Sequence, residues 1–302
     1  MAQDSQRDVF AHSALKTYTA TAQRAAREVI RGYSTSFYAA TRLLGLRNRG
    51  HVRSIYALVR VADELVDGVT SATGLDRGEH LAALDAYESA TLAALRTGFS
   101  TDLIIHAFAH TARVCGIDGD LVTPFFASMR TDLLSTDGQA QIYDEAAHRE
   151  YVYGSAEVVG LMCLRVFTRG LELASEERQI LEHGARQLGA ALQNINFLRD
   201  IGDDTRVLGR HYLGTLTGLD EEEKTRWVAV SREQLGAARE AIDLLPKDSA
   251  RAVLAAHGLF SDLLERIDQT DCAALHLSRV RVPDAVKAKI LASSVFKPHS
   301  RV

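Results

Sequence analysis

Ile55-Tyr56-Ala57-Leu58-Val59-Arg60-Val61-Ala62-Asp63-Glu64-Leu65-Val66-Asp67 is apolar around most of a helical wheel: Ile55, Leu58, Val59, Val61, Ala62, Leu65 and Val66 cover most directions. A helix of that kind is buried on most sides. Its polar stripe reads Tyr56, Arg60, Asp63, Asp67, at steps of four, three and four, so the stripe faces an interior cavity rather than bulk water. Gln193-Asn194-Ile195-Asn196-Phe197-Leu198-Arg199-Asp200-Ile201-Gly202-Asp203-Asp204 repeats the design. Gln193, Asn196, Asp200 and Asp204 share one face, and Arg199 and Asp203 form a neighbouring stripe able to pair with each other. Carboxylates four residues apart repel on a helix. A divalent cation between them relieves the repulsion, and Mg²⁺ is held by one or two carboxylates together with substrate phosphates. Two such faces opposed across a cavity would make a diphosphate-binding metal site. One rival reading is a pair of solvated helix faces; a second is a structural ion-pair network. The pattern occurs twice on apolar helices, each time with arginine and polar residues in register, which weighs against the first. The cost of burying four carboxylates without metal weighs against the second.

Around these segments the chain is ordinary in composition and strongly helical in pattern. It has 302 residues, balanced charge with a net of −4, and only four prolines. No overall basic field is available to neutralise nucleic-acid phosphates, so nucleic acid is not expected as a partner. Cys115, Cys163 and Cys272 are widely separated and form neither a CxxC nor a Cys/His cluster, which points away from zinc or a disulfide framework and toward a reducing cytoplasm. The N-terminus is polar without an apolar core of a signal peptide, and no apolar stretch is long enough to span a bilayer. Residues 279–302 carry a basic excess, read as a solvated tail at the extreme end and a phosphate- or membrane-facing segment before it.

Apolar periodicity predicts helices near 6–31, 34–44, 49–67, 76–96, 101–115, 121–136, 144–169, 176–205, 219–245, 247–271 and 283–294, with no strand alternation. Pro246 and Pro283 mark helix starts. No repeat or long linker interrupts the pattern. One all-α domain over 1–302 is the simplest organisation, with a core of about 20–295, although the length would permit two.

Several further motifs occur in order. Tyr33-Ser34-Thr35-Ser36-Phe37 precedes Ile55-Tyr56-Ala57 and Arg60, then Asp63 to Asp67. Tyr151-Val152-Tyr153-Gly154-Ser155-Ala156-Glu157-Val158-Val159-Gly160 precedes Asn196 to Asp204, which is followed by Arg210-His211-Tyr212-Leu213 and by Arg279-Val280-Arg281-Val282 with Lys287. Together these resemble the squalene/phytoene synthase family, the head-to-head trans-prenyltransferases, over roughly residues 20–290. The forms at 63–68 and 154–160 are most similar to those of bacterial, specifically actinobacterial, phytoene synthases. Val152, Glu157, Phe260 and Tyr33 depart from the residues usual in the family, and Glu157 puts the packing of its helix and the shape of the second-step cavity in question.

The resemblance implies an isoprenoid-synthase-like helical bundle around a central cavity and a Mg²⁺-dependent prenyltransferase of carotenoid biosynthesis, with Mn²⁺ as an alternative ion. Two geranylgeranyl diphosphates would join to phytoene through a cyclopropylcarbinyl diphosphate, without a nicotinamide cofactor. Farnesyl diphosphate, giving squalene or dehydrosqualene, is the nearest alternative; a class I terpene cyclase and a non-catalytic binding protein of the same fold are more distant ones. Asp63, Asp67, Asp200 and Asp204 are the expected metal ligands and ionisation residues, with Asn196 as a neutral oxygen ligand. Glu64 and Asp203 would bind metal through water or orient neighbours. Arg60, Arg199, Arg279 and Lys287 would grip phosphate oxygens, each with a structural salt bridge as its rival role. Ser34, Ser36, Gln193 and Tyr212 would add polar contacts to substrate. Phe37, Tyr56, Tyr151 and Leu161 are candidate walls of a dry pocket, and Tyr151 a candidate for first-step proton removal. The small residues Gly154, Ser155, Ala156 and Gly160 would let the chain approach a long substrate, bend, or pack tightly. With an apolar product, peripheral membrane contact is expected of an otherwise cytoplasmic protein.

Overall fold

Helix boundaries follow from local chemistry. Asp76 and Glu79 form a reciprocal capping box at one start; Asp102, Asp144 and Asp220 cap others by accepting from backbone N–H groups of the first turn. Gly98 and Gly116 end two helices in the left-handed conformation (φ 78° and 69°), which glycine adopts without a side-chain penalty. The computed structural model describes residues 2–67, 72–134, 141–203, 210–213 and 219–296.

In chain order these form α1 (Ala2–Tyr33), α2 (Thr35–Thr41), α3 (Leu46–Asp67), α4 (Arg77–Thr97), α5 (Leu103–Cys115) and α6 (Gly119–Leu134). Next come β1 (Gln141–Ile142), α7 (Glu145–Val152), a π-helical turn (Tyr153–Glu157), α8 (Val158–Phe167) and α9 (Ser175–Asp203). β2 (Arg210–His211), α10 (Glu221–Ile242), α11 (Lys247–Asp268), α12 (Cys272–Leu277) and α13 (Asp284–Phe296) complete the order. The all-α expectation holds. Three details differ from the periodicity. The segment near 144–169 is split by the π turn, where the Val158 N–H reaches back five residues to the Tyr153 carbonyl. The helix near 247–271 stops at Asp268, and α12 follows separately. β1 and β2 pair in parallel over two residues, too few for any alternation to be read.

Helix α9 organises the packing. It lies against α10, α8 and the π turn, and its residues enter two apolar clusters. One contains Leu58, Phe108, Phe125, Met162 and Leu181; the other contains Tyr151, Ile195, Phe197, Tyr212 and Leu264. Backbone contact between α9 and the segment before it is very close. A Cβ at Gly160 would stand 2.3 Å from the Ala185 carbonyl oxygen, and one at Gly189 would stand 2.5 Å from that of Ala156. Glycine at both positions lets the two backbones approach. No helix among the described residues is long and apolar enough to cross a membrane.

Candidate active site

A cavity of about 700 Å³ runs between the two clusters. Helix α3 contributes Val52, Ile55, Tyr56, Val59, Arg60 and Asp63 to its wall, and α9 contributes a strip from Leu181 to Asp200. One end is polar, built from Asp63, Arg60, Asn196, Arg199, Asp200 and Arg279. The far end is apolar, with Leu164, Phe167, Leu181, Ala241, Ile242 and Leu245. The described members of the two polar stripes, Tyr56, Arg60 and Asp63 on one helix and Gln193, Asn196 and Asp200 on the other, therefore meet on one chamber.

Of the expected metal ligands, Asp63, Asn196 and Asp200 line the cavity. Asp67 is the last residue of α3, but its side chain lies outside the described residues, as do the side chain of Asp203 and the whole of Asp204. The Asn196 Oδ1 is buried and accepts no hydrogen bond. A buried acceptor of this kind costs free energy unless a cation or donor arrives. Among the described residues no group of three or more His, Cys, Asp or Glu could hold a metal ion. Among the described residues the donors are two carboxylates and one amide oxygen. That set suits a hard cation that keeps some water and shares the phosphate oxygens of its substrate, and does not suit a closed, all-protein metal cage.

The guanidinium groups are already engaged. Arg199 grips Asp200 with two hydrogen bonds, Nε to Oδ1 at 3.0 Å and Nη2 to Oδ2 at 2.6 Å. Arg279 reaches the same carboxylate, Nε to Oδ1 at 2.7 Å and Nη2 to Oδ2 at 3.2 Å. Arg60 pairs with Glu64 and lies over the Tyr33 ring, 4.4 Å from its centroid. Glu64 thus orients Arg60, one of the two roles expected of it. Lys287 is different. It does not line the cavity, and its ammonium lies 3.0 Å from Asp284 one turn away on α13, so its rival role as a local ion pair is the one observed.

Ser34 has a structural duty: its hydroxyl caps α2 by accepting from the Phe37 N–H at 3.2 Å. Ser34, Ser36, Phe37 and Tyr56 all line the cavity, as does Gln193. The Phe37 ring stands 6.1 Å from Tyr56 and 5.7 Å from Phe260. Burial pushes the Tyr56 phenol above its ordinary pKa. Leu161 is a correction. It faces a second, smaller cavity and not the main one, because Val159, Gly160, Cys163 and Leu164 occupy the face of α8 that looks into the main cavity. Glu157 also points elsewhere: its carboxylate takes Arg186 Nε at 2.6 Å, tying the π turn to α9.

Sequence reading missed Asp132. Its carboxylate is buried on the cavity wall and accepts from two phenols, Tyr151 at 2.7 Å on Oδ2 and Tyr212 at 2.8 Å on Oδ1. The tyrosine oxygens are 3.4 Å apart. Phe197 stacks on Tyr212 at 4.2 Å, and Tyr143 closes the cluster against both tyrosines. His148 holds the Tyr212 carbonyl through Nδ1 at 3.1 Å. Burial first, and then Asp132, push the Tyr151 phenol well above its ordinary pKa, so it stays protonated. The signal was present in the sequence. Asp132 falls three and seven residues after Met129 and Phe125, an acid in the core-facing register of α6.

The comparisons with known proteins agree with this geometry. The family model for squalene/phytoene synthase matches residues 30–217, which is more than half of the chain. The chain belongs to the squalene/phytoene synthase family. Its relatives include phytoene synthase 3, chloroplastic, of Zea mays, 30% identical over 264 residues that cover 81% of this chain and 58% of the maize protein. Phytoene synthase 2, chloroplastic, of Oryza sativa subsp. japonica is 31% identical over 261 residues, 81% of this chain and 63% of that one. This family member thus spans about three fifths of the length of those plant relatives. Among solved structures, a dehydrosqualene synthase in complex with ligand superposes with a TM-score of 0.74 at 20% identity, covering 93% of this chain and 98% of the other. The squalene synthase HpnC from Alicyclobacillus acidocaldarius gives 0.68 at 21%, covering 87% and 97%. At those identities the superpositions establish the isoprenoid-synthase helical fold.

Proposed function

We propose that this protein joins two prenyl diphosphates head to head, and that its preferred substrate is geranylgeranyl diphosphate, giving phytoene. The observation that carries the reading is the shape of the cavity: charged groups from α3 and α9 gather at one end, and an apolar channel extends from them. Diphosphates with long hydrocarbon tails fit that division. The plant relatives named phytoene synthases support the choice of substrate.

In this reading Asp63, Asp200 and Asn196, with Asp67 and Asp204, hold Mg²⁺ or Mn²⁺, which would neutralise the departing diphosphate and act as its Lewis acid. Arg60, Arg199 and Arg279 take phosphate oxygens by forked hydrogen bonds. The donor's C–O bond breaks with its electron pair leaving on diphosphate, and the allylic cation remains. The acceptor's double bond attacks that cation, and loss of a proton closes the cyclopropane. A second ionisation, rearrangement and proton loss then give the triene, with no net redox change and no nicotinamide cofactor. Tyr151 takes the first proton on its phenol oxygen while its own proton passes to Asp132, so the acid is the sink and the tyrosine the relay. Phe37, Tyr56 and Phe197 line a wall that keeps water from the cation and offers π faces to it. Peripheral contact with a membrane surface would deliver the apolar tails and accept the product.

The test is an incubation with farnesyl and geranylgeranyl diphosphates, each with and without NADPH, in Mg²⁺ and in EDTA. A C40 hydrocarbon of phytoene mass, independent of NADPH and abolished by EDTA, is expected. A C30 product as the main outcome would move the assignment to farnesyl diphosphate, and a cyclic product from one substrate would overturn it.

A further inference from the structure

The large cavity does not end in bulk protein. A second cavity of about 350 Å³ lies beyond it, and the two share Leu164 and Leu181 as lining residues. Both side chains are almost fully buried, at 7% and 1% exposure. One layer of leucine therefore separates the channel from a further empty volume. On the far side stand Leu121, Leu161, Leu173 and Tyr153, with charged residues at the rim. We propose that Leu181, with Leu164, is the floor that sets the length of prenyl tail this protein accepts. The proposal rests on the prenyl diphosphate reading above.

Helix α9 supplies a ruler, because it lines the channel from the polar end to the floor. Asn196 is its deepest candidate metal donor. From there to Leu181 is about 22 Å of helix at 1.5 Å per residue. An extended isoprene unit adds four chain carbons, about 5 Å with C–C bonds near 1.5 Å. Four units, about 20 Å on that basis, fill the distance, and three units, about 15 Å, leave the last turn empty. Between the two ends the helix lines the channel with Gln193, Leu192, Leu188 and Ala185, and with Gly189 and Gly184, which pack close against Ala156 and Ala241. Ala185, with no more than a methyl group, leaves room for a tail to run down to Leu181. Ala185 is one turn above the floor, and one helical turn of about 5.4 Å is close to one isoprene unit.

Two substitutions should therefore move the preference in opposite directions. Leu181→Ala removes the floor and opens the second cavity, so it should gain turnover of the C25 geranylfarnesyl diphosphate relative to the C20 substrate. Ala185→Leu raises the floor by a turn and should shift preference to C15 farnesyl diphosphate. A hydrophobic pocket discriminates a single methylene by about tenfold or more, so a whole isoprene unit gives a shift at least that large. Leu161→Ala enlarges the second cavity without breaching the wall and should keep the wild-type profile. Competing C15, C20 and C25 diphosphates, read by product mass, measures the ratio. A thermal-shift titration with the corresponding unreactive thiolodiphosphates reads binding without turnover.

If Leu181→Ala does not fold, Ala185→Leu alone still carries the test. A wild-type protein that binds and turns over none of the three overturns the prenyl diphosphate reading itself. A wild-type protein that turns over at least one of them, with both variants keeping its length profile, overturns the floor.

Discussion

Arg279 meets Asp200 from 79 residues further along the chain, with its Nε 2.7 Å from Oδ1, and Arg199 holds the same carboxylate from the neighbouring position. A proposed metal ligand is thus occupied by two guanidinium groups. On the proposed function Asp200 would be freed to hold the metal ion once Arg199 and Arg279 turn to the phosphate oxygens of an arriving diphosphate. On that reading Arg279 would compete with metal for Asp200 before substrate arrives and bind phosphate oxygens afterwards.

Arg279→Gln should therefore tighten Mn²⁺ binding to the substrate-free protein while weakening catalysis. An ion pair this exposed is worth about 1 kcal/mol, so the gain should be about fivefold. Mn²⁺ titration by electron paramagnetic resonance reads the affinity, and steady-state kinetics reads the loss. Weaker Mn²⁺ binding in the variant would show that Arg279 supports the metal site instead of competing for it.

Asp63→Asn and Asp200→Asn remove a charge from each cavity-facing stripe with almost no change of volume. Product formation should fall by about a thousandfold or more, the scale of losing electrostatic stabilisation of a leaving group. Circular dichroism should stay near wild type in both, while the Asp200→Asn melt should fall slightly, by about 1 kcal/mol, because Arg199 and Arg279 lose their carboxylate partner. Turnover within tenfold of wild type in either variant would remove that residue from the ionisation step.

The stripes at 56–67 and 193–204 were legible because helical spacing alone puts their polar residues on one face, and the apolar surroundings imply that the face looks inward. Which partner each charge chooses was not legible. Lys287 lies in a basic segment that reads as phosphate-facing, but Asp284 is one turn away on the same helix and takes its ammonium. Leu161 has the chemistry of a cavity wall, but Val159, Gly160, Cys163 and Leu164 take the face of its helix toward the main cavity, and Leu161 lines a different one. The partners of Asp132 were hidden for another reason. Its two phenol partners come from α7 and from the residue after β2, far away in sequence, so only the tertiary fold brings the triad together.

That triad makes a comparison between its two tyrosines informative. Tyr151→Phe and Tyr212→Phe each leave one Asp132 oxygen without its phenol donor and should each cost about 1–3 kcal/mol of stability. If Tyr151 relays the proton, only its loss should slow formation of the cyclopropyl intermediate strongly, by about a hundredfold, the lower end of general acid–base contributions. Single-turnover quench with both variants separates the effects. Equal first-step rates in the two would assign Tyr151 to packing alone. Asp132→Asn should match Tyr151→Phe in that first step.

Outside the cavity, His51 gives the fold a pH dependence whose sign can be worked out. Its ring is buried, Arg169 Nη1 donates to Nε2 at 2.8 Å, and Thr111 Oγ1 is 3.0 Å from Nδ1. Accepting at Nε2 fixes the neutral ring as the Nδ1–H tautomer, donating to Thr111. Burial, then Arg169, then His110, stacked 5.9 Å away, hold the pKa down to about 4. In the unfolded chain the ring protonates near its ordinary value of about 6.5. Between those two values the unfolded state binds the extra proton and the native state does not, so stability falls as pH drops. Above that window the contribution is constant; through it, about 1–2 kcal/mol should be lost, allowing for screening at the edge of the ring. Thermal melts from pH 7.5 to 4 on wild type and His51→Gln read this directly. Glutamine does not titrate, so the gap between the two curves should narrow steadily below pH 6.5; parallel curves would show that other buried histidines, such as His148, carry the acid sensitivity.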